Sequence, residues 1–122
     1  MPARDRSHLF DILGALNSIR AFIAGVDHDS FVENDMLLSA VIRKLEIIGE
    51  ATKRISPEFR SAHPEVPWKM MSGMKDILIH DYDQIDVELV WKTVSCEADE
   101  TRRMIEELIG GGDPDDRRIP ND

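Results

Sequence analysis

The sequence has 122 residues, with 24 acidic side chains against 15 basic ones, which gives a net charge of −9 at pH 7. This length suffices for one domain that buries roughly two thirds of its unfolded surface, and 42% hydrophobic with 32% charged residues is typical of a globular protein. The single cysteine excludes an intramolecular disulfide framework and a multi-cysteine metal site. The net charge argues against broad, non-specific binding to nucleic acid.

Neither a membrane span nor a signal peptide is predicted. The longest stretch without a charged side chain, residues 12–19, has eight residues, whereas about 20 apolar residues are needed to cross a bilayer. The first ten residues (MPARDRSHLF) contain no apolar stretch that could act as a leader. The sequence therefore predicts a cytoplasmic location and no membrane partner.

Apolar side chains recur every three or four residues along most of the chain, which is the period of amphipathic helices. The stripe of the first helix comprises Leu9, Ile12, Leu13, Leu16, Ile19 and Ile23. A turn is predicted at residues 25–30, where small and polar residues interrupt the period. The second stripe comprises Leu37, Val41, Leu45, Ile48, Thr52 and Ile55. Ser56 as N-cap and Pro57 at the first helical position begin a third helix. This helix is expected to be short, because prolines 64 and 67 disfavour helix at the residues before them.

From Trp68 the helical period resumes and continues to about Tyr82. Asp86 is the predicted N-cap of the last helix, whose stripe comprises Val87, Val90, Trp91, Val94, Ala98, Thr101, Ile105 and Leu108. Three glycines at 110–112 end this helix, and we expect the acidic tail at 110–122 to be disordered. With no strand alternation, the predicted fold class is all-α: an up-and-down bundle of four long helices and a short one at 1–109, with neighbouring helices antiparallel.

Charge is unevenly distributed along the chain. Residues 43–75 carry seven basic and four acidic side chains and are net +3, whereas residues 76–109 are net −7. A local basic surface on an acidic protein can still bind a phosphate. Ordinary solvated helix faces explain the same charges equally well.

The residues that could carry out chemistry lie in the stretch 66–91. His80 is four residues after Asp76, which puts both on one face of an ideal helix, so the carboxylate could orient the imidazole for acid–base catalysis. Lys75 and His80 are five residues apart, about 140° around the helix axis, and should not meet within one straight helix. Either the helix bends near its end or the pair is completed across an interface. Capping and interaction with the helix dipole are the commoner roles of such residues.

No metal site is predicted. The other histidines are His8, His28 and His63, and their spacing matches no metal-binding motif such as HExxH. Glu46 and Glu50 are four residues apart on one helix, but the Glu-x-x-His pair of a carboxylate-bridged metal bundle is missing.

Several residues with potential chemistry are better explained by packing. Cys96 lies off the apolar stripe of the last helix and is expected to be a free thiol. Trp68 and Trp91 are expected to anchor the core. Met70, Met71 and Met74 are expected to fill space in the core or at an interface.

A series of short motifs resembles the HepT-like branch of the HEPN superfamily. It runs from VIRKLEIIGEATKR at 41–54 through Pro67-Trp68, Gly73-Met74 and IHDY at 79–82 to Val90-Trp91. The resemblance covers about residues 7–109. The family's signature is an arginine, four residues, a histidine, one residue and a tyrosine. The corresponding positions here are Lys75, His80 and Tyr82, with Asp76 as the polar residue after the first position.

The resemblance implies a helical bundle that forms a homodimer and places two copies of the motif at a shared cleft. It implies a metal-independent endoribonuclease, without a cofactor, that acts on RNA as the toxin of a type VII-like toxin–antitoxin pair. The implied partner is a small MNT-type nucleotidyltransferase antitoxin, and no DNA partner is expected. By the same resemblance, His80 acts as general base or acid, Lys75 stabilises the phosphate in the transition state, Asp76 orients His80, and Tyr82 is the site of adenylylation.

Lys75 departs from the family's arginine. Arginine binds a phosphate through two hydrogen bonds from a planar fork, whereas lysine is a flexible point charge. Three hypotheses therefore stay open. The chain is an active ribonuclease toxin, a catalytically weakened or inactive HEPN binding module that partners a nucleotidyltransferase or a nucleotide, or a plain helical scaffold.

Overall fold

The computed structural model of the protein describes residues 1–74 and 85–110. These residues form helices joined by short turns, and no strand occurs among them. In chain order the helices are α1 (Ala3–Ile23), α2 (His28–Val32), α3 (Asp35–Lys53), α4 (Pro57–Ala62), α5 (Trp68–Ser72), α6 (Val87–Lys92) and α7 (Ala98–Gly110). A π-helical segment (Thr93–Glu97) joins α6 to α7, so residues 87–110 form one continuous helix. None of the described helices combines the length and the apolarity that a membrane span needs.

The all-α class is confirmed, but the number of long helices differs from the expected four. Three long helices are present in the described ranges: α1, α3 and the continuous helix 87–110. The helix expected from Trp68 to about Tyr82 is described only at its start, as α5, because residues 75–84 lie outside the described ranges. The tail is expected at 110–122; Gly110 is instead the last residue of α7, and residues 111–122 lie outside the described ranges.

Helix α2 occupies part of the segment for which the sequence predicts a turn. Asp27 caps it by accepting a hydrogen bond from the Ser30 N–H at 2.9 Å, and this bond lowers the pKa of the Asp27 carboxyl. A helix of five residues is not stable alone. Phe31, which is completely buried, supplies the tertiary contact that holds it. The local sequence therefore does not predict this helix, because its stability comes from burial rather than from helix propensity.

Side-chain caps begin the next helices where the sequence predicts them. The Ser56 hydroxyl accepts from the Phe59 N–H at 3.2 Å, with Pro57 at the first helical position. The Asp86 carboxylate accepts from the Leu89 N–H at 3.0 Å. Both predicted N-caps are thus confirmed.

The predicted apolar stripes form one core between the helices. Its largest fully buried side chains include Leu9, Ile12, Leu16, Ile19, Phe31, Leu45, Ile48, Ile55, Met71, Met74 and Ile105. Residues at the borders of the stripes, such as Leu13, Ile23 and Leu37, are half-buried and pack against this core. The helical period thus predicts most of the core correctly.

The π-helical segment keeps the stripe of the last long helix turned towards the core. Val90 and Ala98 are both buried although they are eight residues apart, which corresponds to about 80° around a straight α-helix. A π-turn inserts about one residue and reduces this difference to about 20°. The hydroxyls of Thr93 and Ser95 donate to the carbonyls of Leu89 and Trp91, at 2.8 and 2.6 Å. The Leu89 carbonyl thus accepts from both the hydroxyl and the N–H of Thr93.

Two polar contacts show the relative direction of the long helices. Asp5, near the start of α1, contacts Ser56, just after the end of α3. Arg20, in the last turn of α1, lies 3.8 Å from Asp99 in the first turn of α7. Helix α1 is therefore antiparallel to both α3 and α7, as expected for an up-and-down bundle.

Candidate functional site

The four candidate site residues of the sequence lie in one segment that the structure does not describe. Lys75, Asp76, His80 and Tyr82 all fall between residues 75 and 84, outside the described ranges. Their roles stay predictions. The structure does describe the two ends of this segment, at Met74 and at Ile85, and thereby the parts of the fold that hold it.

The upstream end is anchored in the core. Met74, immediately before Lys75, is completely buried, and so is Met71 one turn earlier. Trp68 is only 8% exposed, and its indole N–H donates to the carbonyl of His63 at 2.9 Å. The expectation that Trp68 and these methionines pack in the core is confirmed. The chain therefore enters the candidate segment from a fixed position.

The downstream end is anchored by α6. Asp86 caps this helix, and Val90 is completely buried one turn later. Trp91 packs against Phe31 of α2, with their ring centroids 5.0 Å apart. Helices α2 and α6 thus form a supporting unit directly after the candidate segment.

A histidine without any recognisable sequence motif links these two helices. The His28 Nε2 atom lies 2.8 Å from both carboxylate oxygens of Glu88, and its Nδ1 atom lies 3.2 Å from Oδ1 of Asp29. An imidazole with a carboxylate at each ring nitrogen is best satisfied when both nitrogens carry protons. The hydrogen bond with Glu88 first, and then the one with Asp29, raises the pKa of His28. No sequence signal could have found this pair, since His28 and Glu88 are 60 residues apart.

The raised pKa of His28 predicts a pH-dependent contribution to folding. This contribution is fully present below the unfolded histidine pKa of about 6.5 and is lost as the pH rises through the higher folded pKa. We expect Glu88→Gln to lower the melting temperature at about pH 5.5, where His28 is charged, and to have little effect at about pH 9. Thermal melts followed by circular dichroism at both pH values measure this difference. The matched control is Glu100→Gln, at an exposed position of α7; an equal pH dependence in both variants would contradict the role of His28.

A second polar region lies in a groove between α1 and α3. Its lining residues are His8, Asp11, Arg43, Glu46, Ile47, Glu50, Ala51 and Arg54. Arg43 lies 3.6 Å from Glu46, so Glu46 has a cationic neighbour. Among residues 1–74 and 85–110, no three His, Cys, Asp or Glu side chains are grouped as metal ligands.

The lone cysteine lies at the surface of the π-helical segment. Cys96 is exposed and has a free thiol, as its place off the apolar stripe predicts. The hydroxyl of Ser95 is 3.6 Å from its sulfur.

Comparison with known proteins identifies relatives along nearly the whole chain. The sequence model of the family described as "Ribonuclease HepT-like" matches residues 12–108. A Methanocaldococcus jannaschii protein named "Putative RNase MJ1380" is 43% identical over 107 residues, which cover 87% of this chain and 98% of the relative. A Thermococcus cleftensis protein named "Probable ribonuclease HepT" is 39% identical over 108 residues, covering 88% of this chain and 98% of the relative. No solved structure matches significantly. These matches confirm the resemblance that the motifs indicate.

Proposed function

The chain belongs to the HepT-like ribonuclease family, and from this premise we propose that it is a metal-independent endoribonuclease. The proposed catalytic residues are Lys75, Asp76 and His80, at the positions of the family signature. The single observation that carries the proposal is this signature within a family match that spans residues 12–108.

The proposed reaction uses the ribose 2′-hydroxyl of the RNA as nucleophile. The 2′ oxygen loses its proton and attacks the adjacent phosphorus, the bond from phosphorus to the 5′ oxygen breaks, and the leaving oxygen is protonated. The products are a 2′,3′-cyclic phosphate and a 5′-hydroxyl. His80 serves as general base or general acid, which is the usual role of a side chain that titrates near neutral pH. Lys75 stabilises the phosphoryl charge, and Asp76 orients the imidazole.

We propose that the cleft is completed by a second copy of the chain. Lys75 and His80 are poorly placed to meet within one straight helix. In a dimer, Lys75 of one chain could instead meet His80 of the other. Large apolar side chains are exposed just after the segment and on the helix that packs against α6. Ile85, Leu89 of α6 and Val32 of α2 are each about 40% exposed. Helices α2 and α6, which carry Val32 and Leu89, are joined through His28 and Glu88. Exposed apolar side chains of this kind fit a self-complementary dimer surface.

We further propose that the protein is the toxin of a type VII-like toxin–antitoxin pair in the cytoplasm. Its partner would be an MNT-type nucleotidyltransferase that transfers AMP from ATP to the hydroxyl of Tyr82 and releases pyrophosphate. The support for this partner is the family resemblance and the tyrosine at the signature position. A bulky anionic group two residues from His80 would obstruct the binding of RNA phosphate.

Incubation of the purified protein with end-labelled single-stranded RNA in excess EDTA tests the catalytic proposal. We expect fragments that end in a 2′,3′-cyclic phosphate. Lys75→Arg is expected to raise the cleavage rate by about tenfold, because a bidentate fork replaces a point charge at the phosphate. The matched control, Lys92→Arg at an exposed position of α6, should leave the rate unchanged.

The same assay distinguishes the alternative function. Because Lys75 replaces the signature arginine, the chain could instead be an inactive binding module. That alternative predicts no cleavage by the parent protein and none by Lys75→Arg, with retained binding to a nucleotidyltransferase. Failure of both proteins to cut RNA would therefore overturn the ribonuclease proposal.

A further inference from the structure

A basic groove lies between α4 and α5, shortly before the candidate catalytic segment. Its volume is about 440 Å³, and its lining residues are Pro57, Arg60, Ser61, Trp68, Lys69 and Ser72. Two of these side chains are cationic and none is acidic. Ser72 ends α5 three residues before Lys75, so the groove adjoins the entry to that segment.

Arg60 carries a buried donor that no acceptor in the described part of the chain satisfies. Its Nε atom is buried and has no hydrogen-bond partner within the described ranges. By contrast, Arg20, Arg102 and Arg103 all contact the carboxylate of Asp99. A buried donor without an acceptor is costly unless water or a ligand supplies the acceptor. The Arg60 side chain as a whole is only half-buried and lines the groove, and no described carboxylate forms an ion pair with it, so its guanidinium can meet an anion there.

Lys69 adds a second positive charge on the opposite wall. It is exposed, and no carboxylate in the described part of the chain forms an ion pair with it. The Ser72 hydroxyl donates to the Lys69 carbonyl at 3.1 Å, which steadies the end of α5. The Ser61 side chain is exposed beside these groups. Arginine forks and lysine ammonium groups are the side chains that most often bind phosphate.

The charge of this groove differs from that of three other grooves among the described residues. The groove between α1 and α7 includes Asp99, the one near His63 includes Glu65 and Glu107, and the one between α1 and α3 includes Glu46. A concave surface with cations and no carboxylates concentrates positive potential even in a protein of net charge −9.

We propose that the α4–α5 groove binds the phosphodiester backbone of single-stranded RNA and directs it to the cleavage site. This inference rests on the ribonuclease function proposed above. Arg60 donates hydrogen bonds to phosphate oxygens, and Lys69 neutralises a neighbouring phosphate. Because these interactions are made with the backbone, they raise affinity without selecting a sequence. Two of the seven basic side chains of residues 43–75, Arg60 and Lys69, thus lie at this groove.

Fluorescence anisotropy with a labelled single-stranded RNA tests the groove. The full-length chain is used with His80→Ala, so that the RNA stays intact during the titration. Adding Arg60→Gln and Lys69→Gln together is expected to raise Kd about tenfold at low salt. The slope of log Kd against log salt concentration should decrease by about 1.4, since each phosphate that is no longer neutralised reduces it by roughly 0.7. The matched control, Arg43→Gln with Lys92→Gln, removes the same two residue types elsewhere and should leave both quantities nearly unchanged.

Two further measurements keep the inference separate from the proposed function and from folding defects. Lys69→Gln alone changes an exposed side chain, and we expect it to reduce the salt slope by about 0.7. In the parent that retains His80, the double variant should raise KM for RNA about tenfold with kcat nearly unchanged, since interactions with the RNA backbone act on binding.

The outcomes separate the two proposals. If the double variant binds and cleaves RNA as its parent does, the groove inference is wrong and the ribonuclease proposal stands. If the parent neither binds nor cleaves RNA, both are wrong. If a polyglutamate peptide loses affinity for the double variant as much as RNA does, the groove is a general anion site and its assignment to RNA is overturned.

Discussion

Replacing His80 with alanine is expected to slow RNA cleavage by about 10²–10⁴-fold, the usual contribution of a positioned general acid or base. The substitution removes the group that moves a proton at the ribose 2′ oxygen or at the leaving oxygen. It leaves the charge of Lys75 and the groove cations in place, so RNA affinity should change little. Initial rates with end-labelled RNA in EDTA, together with Kd from anisotropy, measure the two effects separately.

The control for this substitution is His8→Ala. His8 lies on α1, outside the signature, and lines the polar groove between α1 and α3, so its loss should leave the rate unchanged. Equal losses in the two variants would refute the assignment of His80. Unchanged cleavage by His80→Ala would refute it directly.

Mixing two inactive variants tests whether the catalytic cleft takes residues from both protomers of the proposed dimer. If Lys75 of one chain acts with His80 of its partner, each mixed dimer of Lys75→Ala and His80→Ala regains one intact site. Random exchange makes half of the dimers mixed, so about a quarter of the parent activity should return. No recovery after verified subunit exchange would show that both residues act within one chain.

The second large effect is expected for stability, from Asp5→Ala. Asp5 is only 2% exposed, and its carboxylate accepts hydrogen bonds from the Ser56 N–H at 2.8 Å and from the Ser56 hydroxyl at 2.7 Å. Each hydrogen bond to a charged acceptor contributes about 1.5–3 kcal/mol, and the Ser56 N–H, left without its acceptor, adds a desolvation cost. We expect the free energy of unfolding to fall by about 3 kcal/mol, measured by urea denaturation.

Two variants identify the cause of this loss. Asp5→Asn keeps one carbonyl acceptor for the Ser56 N–H but removes the charge, so it should cost less than alanine does. Asp11→Ala changes an exposed carboxylate on the same helix and should alter stability by less than about 0.5 kcal/mol. If Asp5→Ala cost no more than Asp11→Ala, the buried contact with Ser56 would not be a source of stability.

The sequence predicts the helices wherever a regular apolar period and a cap act locally. The stripes of α1, α3 and the last long helix are correct, and so are the caps at Ser56 and Asp86. The prediction fails at α2, because five residues with a turn-like composition are held as a helix by the burial of Phe31. The π-helical segment is not predicted from the sequence either; its extra residue keeps both Val90 and Ala98 in the core.

Local sequence was enough to establish the all-α class and the family and to nominate four candidate site residues, because periodicity and motif spacing are properties of neighbouring residues. Which distant residues meet became clear from the folded chain alone. Asp5 and Ser56 are 51 residues apart, and His28 and Glu88 are 60 apart, so neither pair leaves a local pattern. The α4–α5 groove has the same origin: its charge depends on which side chains the folded chain brings to one concavity and which carboxylates it keeps away. A net charge of −9 is a sum over the chain, whereas a phosphate responds to the few charges within a Debye length of about 10 Å.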